Sequence, residues 1–257
     1  MKSYEELIRE RRELLKSSFP EIDNEMYKSH QQKGIPAPPL EKPYSKDASL
    51  IDLSEPKAIQ LGNVTLKKAI TQRESKRKYT DEPLTLEELS FLLWATQGIR
   101  SVDKNQVRTL RTVPSAGARH SFETYLVINR VTGLKPGVYR YLPLEHKLLV
   151  VNSQAPTRRQ ISDACWGQTF VSQAAAVFIW TTIPYRAEWR YSVIAYKGIA
   201  VDVGHICQNL YLACEAIGAG TCAILAYNQE ATDALIAVDG EEEFAVYLAP
   251  VGKVRST

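Results

Sequence analysis

Hydrophobic and polar positions along this chain follow two periods. Alternating or continuously apolar stretches, which are typical of strands, cover 122–129, 138–141, 146–151, 176–181, 221–226 and 243–250. Apolar positions three or four residues apart, which are typical of helices, cover 3–16, 64–73, 85–94, 157–165, 198–217 and 229–237. Because helices and strands are mixed without strict β-α-β alternation, the sequence predicts an α+β fold rather than a doubly wound parallel sheet.

Three helices carry further information. Residues 85–88 form a capping box, and Gly98 ends the helix that it opens. Helix 198–217 is apolar on nearly every face, so it is expected to be surrounded by protein. The short helix ending near Arg73 is expected to direct three apolar side chains inward: Leu66, Ala69 and Ile70.

The first sixty residues differ from the rest. Helix 3–16 is charged, and its apolar points are Leu7, Ile8, Leu14 and Leu15. Prolines between 34 and 43 exclude regular helix, which predicts an extended arm over 17–60. A dimer can use such an arm to embrace its partner. We therefore divide the chain into residues 1–60, a helix and arm, and residues 61–257, a compact domain.

Composition narrows the function. The 257 residues carry a formal charge of +3, which gives no reason to expect a nucleic-acid partner. No apolar run approaches the roughly 20 residues that span a bilayer, and the N-terminus has no signal core. Four cysteines lack metal-site spacing and are expected to be reduced and buried. These features predict a cytoplasmic protein without membrane or metal.

The segment 73–77 has the chemistry of a phosphate site. Arg73, Ser75 and Arg77 alternate, so in an extended backbone they share one side and offer two forked cations and a hydroxyl. Lys76 and Lys78 interleave with them, so a solvated basic run is the alternative interpretation.

A second candidate segment is the loop Pro114, Ser115, Ala116 and Gly117, whose small side chains allow close approach to something flat. Arg119 and His120 follow it and can contact a substrate or relay a proton. A plain turn before a strand is the alternative.

Glycines and cations near the C-terminal third form the remaining candidates. Gly218 is a plausible helix C-cap, whereas Ala219 and Gly220 also suit close approach to a ligand. Lys253 and Arg255 can complete a phosphate site or belong to a frayed tail. Further candidates lie around the long helix: Tyr191 as an acid or base, and His205, which is more typically a core residue in such a helix.

Taken together and in order, these segments resemble the nitroreductase superfamily of FMN-dependent oxidoreductases over residues 64–255. Residues 73–79 resemble its phosphate-binding segment, residues 114–117 its flavin-facing loop, and residues 218–222 its glycine-rich turn. The SagB-type dehydrogenase branch, which includes azoline dehydrogenases, is a closer likeness because of 133–141 with His146 and 204–210, which contains Gln208.

The resemblance implies a nitroreductase-like fold, with a mainly antiparallel sheet flanked by helices, in an intertwined homodimer with two FMN sites at its interface. Arg73, Ser75, Arg77 and Lys253 or Arg255 would hold the phosphate, and Gln208 would also contact the cofactor. Residues 114–117 would pack on the isoalloxazine, and backbone N–H groups at Ala219 and Gly220 would face N5 and O4. Arg119, His120 and Tyr191 would serve substrate contact or proton transfer.

Three functions fit this resemblance. The first is reduction of FMN by NAD(P)H and its reoxidation by a small acceptor of the nitroaromatic or quinone class. The second is SagB-like oxidation of an azoline or peptide, with electrons passed to oxygen. The third is a flavin-binding subunit without turnover. Arg190 stands where azoline dehydrogenases carry lysine, and arginine does not deprotonate usefully, which favours the first.

Overall fold

The computed structural model describes residues 2–17 and 28–255. Its helices are α1 (Tyr4–Glu13), α2 (Leu66–Gln72), α3 (Leu86–Gln97), α4 (Arg158–Ala164), α5 (Thr169–Gln173), α6 (Tyr185–Tyr191), α7 (Ala195–Ala216) and α8 (Gln229–Ile236). Its strands are β1 (Leu50–Asp52), β2 (Ile99–Val102), β3 (Thr109–Arg111), β4 (Phe122–Ile128), β5 (Gly137–Leu142), β6 (Lys147–Asn152), β7 (Ala176–Thr182), β8 (Ala219–Thr221) and β9 (Phe244–Lys253).

Seven strands form one sheet in the order β1-β6-β5-β4-β7-β9-β8, and every neighbouring pair is antiparallel. Strands β2 and β3 form a separate hairpin. The central strands β4 and β7 are buried along their full length because helices cover both faces. The α+β prediction is therefore confirmed.

Alternate residues of the central strands face two separate cores. Leu126 and Phe178 face the core that contains α3 and α7, where they join Leu92 and Leu210. On the opposite face, Tyr125 and Ile179 pack with side chains of α4 and α8. Helix α7 thus lies directly on the sheet, which fixes its position relative to every strand end.

The predicted ends of the helices agree with the structure better than the predictions of which side of a helix is buried. Thr85 and Glu88 form the capping box of α3, and Gly98 follows its last residue. On α2 only Ala69 is buried, whereas Leu66 and Ile70 are 66% and 57% exposed, so their predicted inward direction is wrong. A helix of only seven residues packs one narrow face against the rest of the protein, and in α2 Ala69 occupies that face.

The strand predicted at 221–226 is also wrong. Strand β8 ends at Thr221, and beyond it a single bridge joins Ile224 to Leu248. Sequence reasoning missed the short elements β1, β2, β3, α5 and α6.

The described part of the arm, residues 28–60, packs on its own chain. Strand β1 joins the edge of the sheet beside β6. The backbone N–H of Lys42 donates to the buried Glu123 carboxylate over 2.8 Å, and the Trp189 indole donates to the Ile35 carbonyl over 2.8 Å. The described part of the arm is therefore anchored on its own chain, and its contact with a partner stays a prediction. The remainder of the arm, residues 18–27, lies outside the described residues.

Two helices leave apolar surface uncovered in a single chain. No residue of α1 is buried, and its predicted apolar points, including Leu14 and Leu15, are largely exposed. Helix α7 is buried against the sheet but exposes the face that carries Val201, His205 and Gln208. The expectation that protein surrounds α7 is therefore not met within one chain.

The prediction that the cysteines are buried is confirmed: all four thiols are buried, and none is paired with another. Among the described residues, no helix has both the length and the apolarity that crossing a membrane requires.

Candidate active site

Segment 73–77 is joined to the glycine-rich turn by backbone pairing. Arg73 caps the end of α2, after which the chain runs parallel to β8 through a bridge between Ser75 and Thr221. The Lys76 N–H donates to the Thr221 carbonyl over 2.9 Å, and the Thr80 N–H to the Lys253 carbonyl over 2.9 Å. The structure thus brings residues 73–77 together with the glycine-rich turn and with Lys253.

Tyr211 of α7 organises this region. Its hydroxyl lies 3.0 Å from Ser75 Oγ and accepts the Ala223 N–H over 2.9 Å. The Arg73 guanidinium lies 5.4 Å from its ring centroid, a cation–π distance. Arg73 and Ser75 therefore share one side of the chain, as their alternate spacing predicts. We call Arg73, Ser75, Arg77, Tyr211 and Thr221 the phosphate cluster.

The charges in this cluster leave two arginines available. Lys76 pairs with Glu74, and within the described residues Arg73 and Arg77 form no ion pair. Lys253, in contrast, pairs with Glu88 of the α3 capping box and donates to the Ile217 carbonyl over 3.0 Å. We therefore correct its assignment: the ammonium is held in a nearly buried ion pair with Glu88 and is not free beside Arg73 and Arg77. Arg255 is exposed beyond β9.

Ala219 and Gly220 lie at the edge of the sheet. Both are buried in β8, paired with β9 on one side. A Cβ at Gly220 would lie 2.6 Å from Lys76 Cβ, so close approach of its own chain explains this glycine. The C-cap of α7 is Ile217, and Gly218, with φ +66°, follows it directly as the left-handed glycine at the helix end.

The loop 114–117 is held by a residue that sequence reasoning missed. Ser115 Oγ donates to Asp202 Oδ2 over 2.5 Å, and the Ala116 N–H reaches both carboxylate oxygens at 3.1 Å. Burial raises the pKa of Asp202, while these hydrogen bonds lower it. We call residues 114–117, Asp202 and Tyr191 the loop cluster.

The backbone of this loop is unusual. Gly117, Ala118 and His120 have φ of +56°, +53° and +44°, a region that side chains other than glycine adopt at a cost. A Cβ at Gly117 would lie 2.5 Å from the Tyr191 hydroxyl oxygen. Gly117 is therefore required both by conformation and by the close approach of α6.

A cavity of about 680 Å³ opens beside the loop cluster. It is large enough for a ring system, because small-molecule sites commonly enclose about 300 to 1,000 Å³. Its walls come from the loop, the start of α7 and the end of α1. The lining residues include Pro114, Ser115, Ala116, Tyr191, Tyr196, Val201, Asp202, His205 and Leu14.

Two predicted catalytic side chains, those of Arg119 and His120, do not line this cavity. Arg119 is buried, donates to the Val107 carbonyl over 2.6 Å and stacks on Trp189 at 4.9 Å. His120 Nε2 donates to the Thr109 carbonyl over 3.1 Å. Burial, helped by the charge of Arg111, lowers the pKa of His120 to about 3. We therefore correct both assignments: neither side chain is placed to contact a substrate in the cavity.

Other candidates do line it. Tyr191 stands at the wall beside Gly117. His205 is exposed on α7 and lines the same cavity, contrary to the expectation of a core histidine. Gln208 is exposed one turn further along α7.

The two clusters attach to different parts of α7. Asp202 and Tyr211 are nine positions apart. At about 100° and 1.5 Å per residue, they lie on opposite faces and about 13 Å apart along the axis. The two clusters of one chain therefore attach to opposite faces of α7.

Comparison with known proteins agrees with this architecture. The sequence matches the model of the Nitroreductase family over residues 70–253. The protein MJ1384 of Methanocaldococcus jannaschii, which is named as a nitroreductase, is 30% identical over 207 residues, or 80% of this chain and 98% of that one. This chain belongs to the nitroreductase family.

Two further likenesses are informative. A crystal structure of a protein from Ralstonia eutropha JMP134, also named as a nitroreductase, has the same fold, with a TM-score of 0.66, 23% identity and coverage of 86% of this chain and 100% of that chain. The trifolitoxin-processing protein TfxB of Rhizobium leguminosarum bv. trifolii is 30% identical over 112 residues, which cover 42% of this chain and 30% of TfxB.

Proposed function

We propose that this protein is an FMN-dependent oxidoreductase whose flavin is reduced by NAD(P)H and reoxidised by a small acceptor of the nitroaromatic or quinone class. The observation that carries the proposal is the pair of clusters that attach to opposite faces of α7. One offers free arginines and a hydroxyl, as a phosphate requires. The other offers small side chains beside a cavity of ring-system size.

The residues present fit FMN in two ways. Arg73 and Arg77 are not committed to ion pairs within the described chain, and Ser75 exposes its hydroxyl beside them. Cavity walls at residues 114–116 lack bulky side chains that would exclude a flat ring. Arg255 is exposed near the same edge of the sheet and can add a cation.

We further propose that the protein acts as a homodimer in which each site takes one half from each chain. The half-sites of one chain lie on opposite faces of α7, so a single chain cannot close one site around one flavin. The face of α7 that carries Val201, His205 and Gln208 is exposed, with Val201 at 50% exposure, and a second copy would bury it.

When bound, FMN supplies the redox chemistry by accepting a hydride from one molecule and passing electrons to another. The chain's residues do the rest. Arginines of the phosphate cluster bind and orient the phosphate. Residues 114–117 orient the ring, and the walls of the cavity exclude water. The Tyr191 hydroxyl can hold a proton at the cavity wall, whereas His120 stays neutral and buried near neutral pH.

The test is spectroscopic. The purified protein should be yellow and should release FMN on denaturation. Anaerobic NADH or NADPH should bleach the bound flavin, and a nitroaromatic or quinone should restore its colour; free FMN with the same donor is the control. A colourless protein that does not take up FMN would contradict the cofactor. Bound flavin that no donor reduces would instead indicate a flavin-binding subunit without turnover.

A second function has a specific observation in its favour, namely the likeness to the trifolitoxin-processing protein. A SagB-like protein would oxidise an azoline in a peptide and pass electrons to oxygen. Arg190 weakens this candidate, because its guanidinium stacks on Tyr191 at 5.5 Å and bonds Gln31 over 3.2 Å. Bleaching of the flavin by an azoline peptide, but not by NAD(P)H, would favour this function over the first.

A further inference from the structure

Asp202 is a buried carboxylate without an ion-pair partner among the described residues. It sits within α7, where aspartate is unfavourable, and burial of a charge costs free energy unless hydrogen bonds compensate. The donors that face it come from one place, the loop 114–117: Ser115 Oγ at 2.5 Å and the Ala116 N–H at 3.1 Å. His205, three positions along, is the titratable neighbour on its own helix.

Ser115 carries this contact further into the loop. The same Oγ that donates to Asp202 accepts the backbone N–H of His120 over 2.9 Å. A chain of two hydrogen bonds therefore runs from α7 across the strained stretch that contains Gly117 and Ala118. Strained backbone persists only where its surroundings hold it, and here the carboxylate and the serine do so.

Packing supports the same arrangement. A Cβ on Gly198, four residues before Asp202, would contact the Ala116 side chain at 3.5 Å, so the loop lies flat along one face of α7. On its other side the loop meets Tyr191 and Arg190 at Gly117. Without Asp202 the loop would keep these contacts but lose its polar attachment.

We propose that Asp202 is a positioning residue, which fixes residues 114–117 in the conformation that receives the flavin ring. This inference rests on the proposed function, because the loop has a ring to receive only if FMN binds. It assigns to α7 a part in shaping the site that none of the candidate segments includes.

The test compares Asp202→Ala, Asp202→Asn and Ser115→Ala with wild type by FMN titration and by the absorption spectrum of the bound flavin. Loss of a charge-assisted hydrogen-bond network corresponds to about tenfold weaker FMN binding in Asp202→Ala. Asp202→Asn keeps one acceptor oxygen and should lose less, with Ser115→Ala between them. In each variant the spectrum of the fully bound flavin should differ from that of wild type.

The control is Asp233→Ala. Asp233 is another buried aspartate, which accepts the Ala245 N–H over 2.7 Å on the opposite face of the sheet. This variant should lower the melting temperature without altering the FMN dissociation constant or the spectrum. Melting curves of all variants identify any that fail to fold, and the two milder changes, Asp202→Asn and Ser115→Ala, then carry the test.

The outcomes separate the two proposals. If wild type takes up no FMN, the proposed function fails. If wild type binds FMN but Asp202→Ala and Ser115→Ala bind it with unchanged affinity and spectrum, Asp202 does not position the loop. If Asp233→Ala changes FMN binding as much as Asp202→Ala, the effect is general destabilisation and the inference is likewise overturned.

Discussion

The phosphate cluster and the loop cluster are built by opposite means. In the phosphate cluster, backbone pairing places residues 73–77 beside β8, and the side chains of Ser75 and Arg77 remain exposed. In the loop cluster, a buried carboxylate and a close contact with Tyr191 hold a strained backbone. The first should therefore tolerate substitution with loss of affinity alone, whereas the second should lose stability as well.

The largest effect on flavin binding is expected from Arg73→Ala combined with Arg77→Ala. Each charge-assisted hydrogen bond to a phosphate contributes about 2 kcal/mol, so FMN should bind about a thousandfold more weakly. The melting temperature of the FMN-free protein should hardly change. Lys67→Ala with Lys68→Ala, which removes the same charge from exposed positions on α2, is the control. Undiminished FMN affinity in the arginine variant would refute the phosphate cluster.

Gly117→Ala should show the opposite behaviour. The new Cβ meets Tyr191 and Arg190 at a positive φ, so the free energy of unfolding should fall by about 2 kcal/mol. Gly133→Ala separates strain from contact, because Gly133 has φ +86° and no atom near its Cβ position. Urea denaturation measures both. An equal loss in the two variants would show that contact with α6 contributes nothing.

The pH dependence of stability probes the support of the loop. The pKa of His120 is lowered to about 3 from an ordinary 6.5, so between these values the unfolded chain binds a proton that the folded chain does not. Its contribution to stability is complete above pH 6.5 and falls by up to about 1.4 kcal/mol per pH unit as the pH is lowered. His120→Gln, which can still donate to Thr109, should flatten this slope.

The pH dependence of stability expected from Glu41 is opposite in sign to that expected from His120. Burial raises the pKa of Glu41 to about 7, so between pH 4.5 and 7 the folded chain holds the additional proton and stability falls as the pH rises. Glu41→Gln should therefore make the decline of stability at low pH steeper, whereas His120→Gln makes it shallower. Urea denaturation at pH 7 and pH 5 distinguishes them, and slopes that change in the same direction would contradict these assignments.

Substitution of Lys253 is expected to have the smallest effect on FMN binding. Its ion pair with Glu88 lies away from solvent, so Lys253→Met should lower the free energy of unfolding by about 1 to 2 kcal/mol by leaving Glu88 unpaired. FMN affinity should stay within about twofold of wild type, because the Lys253 ammonium is held by Glu88. A twofold change in affinity corresponds to much less than the 1.4 kcal/mol of a tenfold change. A tenfold loss of affinity would return Lys253 to the phosphate site.

Local patterns within a segment were predicted from the sequence more accurately than contacts between segments. Capping at Thr85, the central strands and the alternate spacing of Arg73 and Ser75 are local patterns, and each appears in the structure. The directions of Arg119 and His120 depend on Val107 and Thr109 in a hairpin that has no strong periodicity. These directions could not be read from the chain.

The two residues that connect the clusters to α7 were missed for a similar reason. Asp202 and Tyr211 interrupt an apolar helix, and a polar residue in such a position is the available signal of a buried hydrogen-bonded role. What they bond to depends on long-range packing. The exposed face of α7 likewise appears only when the sheet side of the helix is known.

The central claim is that one flavin site takes its phosphate cluster and its loop cluster from different chains. The most direct measurement is the FMN content of a mixed dimer, purified with two tags from Arg73→Ala/Arg77→Ala and Ala116→Trp, whose indole would fill the cavity. Each variant alone should bind no FMN. The account predicts one FMN in the mixed dimer, against two in wild type, because one site receives both intact halves. A mixed dimer without FMN would show that each chain builds its own site and would contradict the account.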